Sequence, residues 1–479
     1  MAQQYDKFFD NHPEYDDFLA RWNVVTDVVD GGPRLKERDL KNFGTYLIKI
    51  TAQSDDVSYY NERNKAYING AVFSNVTEST LTGYIGMLFR TAPVVKELPT
   101  AIQYIVDDSD GNGLPLEHHS RNTAEKVTSL GRHGILVDMP VANGPITKAD
   151  EANGHRASLK SYSAQNIEYW REDNSMIILR ETMLIPFNDD EFRIEEVDAW
   201  RVLRLTNGIY TAEVLDREGE VLVEETTPLD ASGNPFDEIP FLAIGSVDNR
   251  LDVDPLPLEP IAIVNIGHYR NVADEESSSR QLSAATPYVA DNAYQQAVNN
   301  PNETDKKTQL MGEMGFVVMG SGGQAGFMQV SANTQVGKLR EDKEKQMVAL
   351  GAQVVTPVGP AQTAEAVRTQ RAGQVSRLEI IGINISNGYT KLLKWVGRFM
   401  GVEVTSEYTL NREFFDEEMK PEELRELVAG WQMGAYPMRV MHRKMKANGF
   451  LEEDEEYEAL AAEIQSEAPQ IDMEDKDAV

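Results

Sequence analysis

The spacing of apolar and polar positions changes several times along the chain, and each change marks an element. Leu35, Leu40, Phe43, Tyr46, Leu47 and Ile50 recur at helical spacing, as do Val76, Leu81, Ile85, Leu88 and Phe89 before Pro93, so residues 1–100 read as mainly helical. A helix through Ala124, Val127 and Leu130 then leads through Gly131 and Gly134 into a strand over 134–138. From 158 to 247 the period falls toward two. Runs at 175–184, 192–205, 208–216 and 221–225 are rich in β-branched and aromatic residues, and turn residues at 188–190, 207–208 and 217–219 separate them. This predicts a β-rich block.

Asp252 opens a stretch holding Pro255, Pro257 and Pro260, which fits neither helix interior nor central strand and so predicts a hinge and a helix start. A helix over 261–281 follows, with Ile261, Val264, His268, Tyr269 and Val272 near one face. The chain turns extended over 282–290 around Pro287, and 299–304 reads as loop. The runs 316–319 and 327–330 read as two strands joined by a glycine-rich turn at 320–326, and a charged helix over 335–350 comes next. Pro357 and Pro360 force a loop or kink.

The strongest periodic signal lies in 364–400. Leu378, Ile381, Ile385, Tyr389, Leu392, Val396 and Phe399 step by three or four, which puts them on one stripe of a helix about 55 Å long. Gly373, Gly382, Gly388 and Gly397 each cost such a helix about 1 kcal/mol relative to Ala, so neighbours packed closely against it are expected to hold it. Beyond it, Pro421 starts a helix through Leu424, Leu427, Val428 and Trp431 that Gly434 ends. Short helices follow at 438–445 and 457–464, and then an acidic tail.

Composition narrows the function. The chain of 479 residues lacks cysteine, which removes disulfides and thiolate chemistry and points to a cytoplasmic place of assembly. No basic and apolar leader opens it, and no apolar run reaches the roughly 20 residues of a membrane helix. The formal charge of −32 leaves no cationic surplus for gripping nucleic-acid phosphates; by itself it reads first as solubility, and it also suits a surface along which DNA slides.

The chemical motifs are weak in their contexts. Gly320, Gly322 and Ala325 match a dinucleotide fingerprint, but the apolar run after them is β-like where the fingerprint needs a helix N-terminus. Asp108, Asp110 and Asn112 open like a calcium loop whose twelfth position is His119 instead of a bidentate glutamate. The histidines lack zinc spacing, and neither a phosphate-binding P-loop nor a serine elbow occurs. No catalytic residue, metal site or cofactor is assigned. Lys338, Arg340, Lys343 and Lys345 alternate with acids as on a solvated helix face, and their functional reading is a channel lining. Arg368, Arg371, Arg377, Lys391, Lys394 and Arg398, against Glu365 and Glu379, make the long helix locally basic, suited to an acidic neighbouring subunit.

From Asp252 onward, the order of these elements resembles the portal proteins of tailed bacteriophages. The resemblance implies an α+β, mainly helical fold assembled as a ring. Its parts would be an N-terminal arm (1–39), a wing (40–254), a first stem helix (255–281), a clip (282–332), a second stem helix (333–350) and a tunnel loop (351–363). A long wing helix (364–400), a wing return (401–415), a crown (416–466) and an acidic tail (467–479) would complete the chain. It implies a non-enzymatic ring of twelvefold order at one capsid vertex of the virion, passing double-stranded DNA during packaging and ejection. Its partners would be further copies of itself, the terminase motor, the tail adaptor, and the capsid and scaffolding proteins. Thr356, Pro357, Val358, Gly359 and Pro360 would then join the stem lysines in facing DNA, and Phe316, Val318, Phe327 and Gln329 of the clip would face the docking partners. The competing readings are an adaptor subunit, a scaffold subunit, against which the β-rich block counts, and a hydrolase, against which the missing motifs count.

Overall fold

The computed structural model describes residues 7–49, 57–140, 155–187, 190–283, 286–290, 324–328, 334–351, 364–411, 421–447 and 457. They fall into two units, 1–412 and 413–479.

The first unit begins with α1 (Pro13–Asp30) and α2 (Gly32–Lys41), followed by α3 (Val57–Gly70) and α4 (Val76–Leu88). Pro13 occupies the first turn of α1, where its missing N–H costs nothing, and Gly31, at φ 88°, ends the helix. Residues 13–30 and 32–41, which take in most of the segment expected as an N-terminal arm, are therefore helical. Trp22 and Val25 of α1 are fully buried, and the Trp22 indole donates to the Leu130 carbonyl at 2.9 Å. The helical pattern read through Ile50 is also shortened. Helix α2 stops at Lys41 because the buried Asp39 carboxylate accepts the Tyr46 and Leu47 backbone N–H groups, folding the chain back over the helix.

Two sheets follow. Helix α5 (Leu116–Leu130) runs through Gly131, at φ 82°, into β2 (Arg132–Asp138), the centre of an antiparallel β3-β2-β9 sheet in which β3 is Ser158–Ser163 and β9 Phe241–Gly245. Gly134 is needed because an added Cβ would run into the Phe241 ring across the pair. The second sheet is the meander β4 (Ile167–Trp170), β5 (Met176–Phe187), β6 (Asp190–Thr206), β7 (Ile209–Leu215) and β8 (Val221–Thr226). Its β6-β7 connection is the Asn207-Gly208 pair, both at positive φ, as a tight hairpin requires. The five strands thus lie where alternation placed the β-rich block.

Helix α6 (Glu259–Ser283), the paired strands β10 (Thr286–Ala290) and β11 (Gln324–Met328), helix α7 (Thr334–Leu350) and helix α8 (Ala364–Met400) come next. The glycine-rich turn is corrected here. Ala325 and Gly326 are themselves in β11, opposite Val289 and Tyr288, so the strand that ends this run pairs backward with β10. The run 316–319, expected as its partner, lies outside the described residues, as does the kink at 356–360.

In α8 all seven stripe residues from Leu378 to Phe399 are buried. The expected close packing is visible at its glycines: a Cβ on Gly388 would lie 2.7 Å from Ile244 Cδ1, and one on Gly382 3.3 Å from Leu88. Asn384 fixes the helix to the sheet edge by donating to the Gly245 carbonyl at 2.9 Å. After Gly401, β12 (Tyr408–Thr409) returns to pair with β1 (Val94–Val95). In the second unit, α9 (Pro421–Gln432) and α10 (Met438–Ala447) are joined through Gly434 at φ 77°.

Candidate functional site

Helices α6 and α7 lie side by side and antiparallel, and the contacts between them carry charge. Arg340 of α7 holds Glu275 of α6 at 3.0 Å and Glu344, one turn along its own helix, at 2.7 Å. Glu344 in turn reaches His268 Nε2 at 3.3 Å. Gly267 leaves room for the Lys343 stem, whose Cε would lie 3.4 Å from an added Cβ, and the Lys343 ammonium reaches Gln346 at 3.2 Å. Met347 closes the contact from α7 and is buried. The pair is thus joined mainly by a half-exposed polar ladder, whose ion pairs are each worth no more than about 1 kcal/mol.

Helix α6 is also fixed by the N-terminal helices. Arg21 donates from Nε to Glu259 at 2.6 Å, and Asn265 accepts from the Thr77 N–H and hydroxyl while donating to the Ser74 carbonyl. Tyr67 donates to Asp274 at 2.6 Å, and burial with this carboxylate beside it raises its phenol well above the ordinary value. The N-terminal helices therefore anchor α6, which pairs with α7 and is followed in sequence by β10.

The four basic residues expected along a channel divide in two. Lys338 and Lys345 lie on the exposed face of α7, Lys345 with Asp342 at 3.7 Å, while Arg340 and Lys343 turn toward α6. Of the basic residues on α8, Arg377, Lys391 and Lys394 are exposed. Lys391 lies 4.5 Å from the Trp395 ring centroid, and Arg398 is held inside its own chain by Asp237 at 2.6 Å and the Phe236 ring. The side chains of Arg368, Arg371 and Phe327 lie outside the described residues, as do Thr356, Pro357, Val358, Gly359 and Pro360 of the loop, and Phe316, Val318 and Gln329.

The remaining motifs resolve structurally. Asp108 accepts the Gly111 and Gly113 N–H groups and pairs with Arg156, and Asp110 accepts from Asn112 and Leu114, so these carboxylates organise a turn. His119 is buried between Tyr389, at 2.6 Å, and Ser161, at 3.1 Å, and desolvation lowers its pKa to about 4. Among the described residues no cluster of histidines and carboxylates has metal-binding form, and no helix is long and apolar enough to cross a membrane.

Sequence reading missed the acidic half of the ladder and the buried Arg132. Glu275 belongs to an acidic run like many others in this chain, and its facing arginine is 65 residues away. Among the described residues Arg132 forms no close ion pair with a carboxylate and feels Glu14, Asp252 and Asp254 only at longer range. It donates to the Leu251 and Ile167 carbonyls and lies 4.2 Å from the Trp170 ring centroid and 5.2 Å from that of Trp22, and burial lowers its pKa to about 9. No local pattern announces such a site.

Among solved structures, the chain is similar to a chain in the virion of a native gene transfer agent particle, with 10% identity, a TM-score of 0.37, and 77% of this chain and 88% of that chain covered. It is similar to a chain in the neck of an empty gene transfer agent particle at 12% identity and a TM-score of 0.37, with the same coverage. It is also similar to an HK97-family phage portal protein from Corynebacterium diphtheriae at 10% identity and a TM-score of 0.31, covering 71% of this chain and 96% of that one. No curated protein matches. Residues 257–400, the stretch from the proline hinge to the end of α8, match a family described as a domain of unknown function, DUF4055.

Proposed function

We propose that this chain is a phage portal protein, the subunit of a ring through which DNA enters and leaves a capsid. The observation that carries the reading is the antiparallel α6-α7 pair, tied by Arg340, Glu275, Glu344 and His268, with the β10-β11 pair inserted between the two helices in sequence and the 37-residue α8 after them. This supports the order of stem, clip, stem and wing helix read from the sequence. Lys338 and Lys345 of α7, with the loop from Thr356 to Pro360, would face DNA. Arg340 and Lys343 would hold the stem together.

The role is structural. A subunit of charge −32 gives a ring whose bore repels the phosphate backbone except at local lysine rings, which favours transit over retention. The β10-β11 region would dock the packaging motor and then the tail adaptor, and the basic positions of α8 would meet a neighbouring subunit. Light scattering of the purified full chain, followed by electron microscopy of the largest species, tests the proposal. A closed ring of about twelve copies with a central bore is expected, and a chain that stays monomeric at every concentration and ionic strength refutes it.

A further inference from the structure

The β5-β6 hairpin outgrows its sheet. Strand β4 pairs with β5 only as far as Leu179, and β7 pairs with β6 only from Trp200 onward, so the distal parts of β5 and β6 continue as a two-stranded ribbon. Partners in an antiparallel ladder share a face. Leu184 opposite Glu196 and Pro186 opposite Ile194 therefore form one side. Leu184 is 64% exposed and Ile194 66%, with Phe192, nearer the tip, at 88%. A bare two-stranded ribbon is marginal in water, and clustered apolar exposure of this kind marks a contact surface.

The ribbon is also acidic. Residues 180–199 hold seven Asp and Glu against Arg180 and Arg193. Arg180 is already bound to Asp198, and Arg201 of the sheet takes Glu181. The complementary surface is the solvent side of α8, where Arg377, Ile380, Lys391 and Lys394 are exposed along one stripe, with Glu379 off to its side. Its length from Arg377 to Lys394 is about 25 Å at the helical rise, close to the roughly 25 Å of the ribbon at the strand rise.

Within one chain the ribbon tip lies far from Lys391. Lys391 lines a cleft with Ile177 and Leu205 at the base of the hairpin, and Pro186 lies about 30 Å further along β5. We infer that the β5-β6 ribbon of one copy lies across the basic face of α8 on the next copy, its Leu184, Ile194 and Glu196 side against Ile380, Lys391 and Lys394. Two different surfaces of the same chain then join head to tail, the kind of contact that closes into a ring. The inference rests on the proposed ring and names the surfaces that make it.

Charge exchange in the full-length chain is the test. Ile194→Lys with Glu196→Lys, and separately Lys391→Glu with Lys394→Glu, are expected to reduce the ring fraction at micromolar concentration at least tenfold. The far-ultraviolet dichroism of each should match the parent, since these side chains are exposed. Combining all four changes is expected to restore rings. If the parent forms rings and both double variants do too, or if the fourfold variant stays dissociated, the ribbon contact is wrong while the portal reading stands. A parent that never forms rings removes the portal reading, and this inference with it.

Discussion

Replacing Gly397 by Ala pits helix propensity against packing, with a known sign for each. In an open helix the change should stabilise by about 1 kcal/mol. At Gly397 the new Cβ would lie 2.7 Å from the Val402 carbonyl oxygen, in the chain that turns back after Gly401, and against the Val404 side chain. That backbone cannot move freely, because the Val402 N–H is bonded to the Gly397 carbonyl at 2.9 Å. Overpacking of this kind costs about 3 kcal/mol at the upper end of its usual range, leaving a net loss of about 2 kcal/mol. The matching change at Gly86 in α4, whose Cβ meets nothing within 4 Å, should raise stability by up to about 1 kcal/mol. Thermal melts followed by circular dichroism, at matched oligomeric state, should lower the midpoint by about 2 °C for Gly397→Ala and raise it by about 1 °C for Gly86→Ala, given the size of the unit that holds both. If both variants shift upward together, the close approach at the end of α8 is not what keeps Gly397.

Two further outcomes follow from buried groups. The folded pKa of His119, about 4, lies below the ordinary 6.5, so the fold favours the neutral ring; stability is then lost as pH falls from 6.5 toward 4, by at most about 3 kcal/mol. Urea titrations across that range should show a shallower decline for His119→Gln, and an unchanged slope counts against the assignment. Arg132→Ala should cost about 3 kcal/mol or more by removing the donors to the buried Ile167 and half-buried Leu251 carbonyls and leaving a gap between Trp22 and Trp170, whereas Arg132→Met, which fills the gap without a charge, should cost less. Denaturation midpoints in the reverse order would overturn that account.

Periodicity alone determined the long rod, the last four strands of the meander and the two helices on either side of β10 and β11. These features depend on local geometry: a 3.6-residue stripe and a two-residue alternation are written into consecutive residues, and proline, glycine and Asn207-Gly208 mark their ends. Tertiary structure decided the rest. Trp22 shows that the first helix belongs to the core, although its own segment gives only weak amphipathic spacing, because burial there depends on Leu130 and Arg132 more than 100 residues away. Arg340 and Lys343 look equivalent to Lys338 and Lys345 in the sequence. Their opposite orientations arise only when α6 packs beside α7 and offers Glu275, His268 and the open space at Gly267. The ribbon face was invisible for the same reason, since the length of its strands is local while the end of its sheet is set by where β4 and β7 stop pairing. A pattern of residues can specify an element, but which charge is matched and which is left exposed is fixed by partners that the chain brings together only on folding.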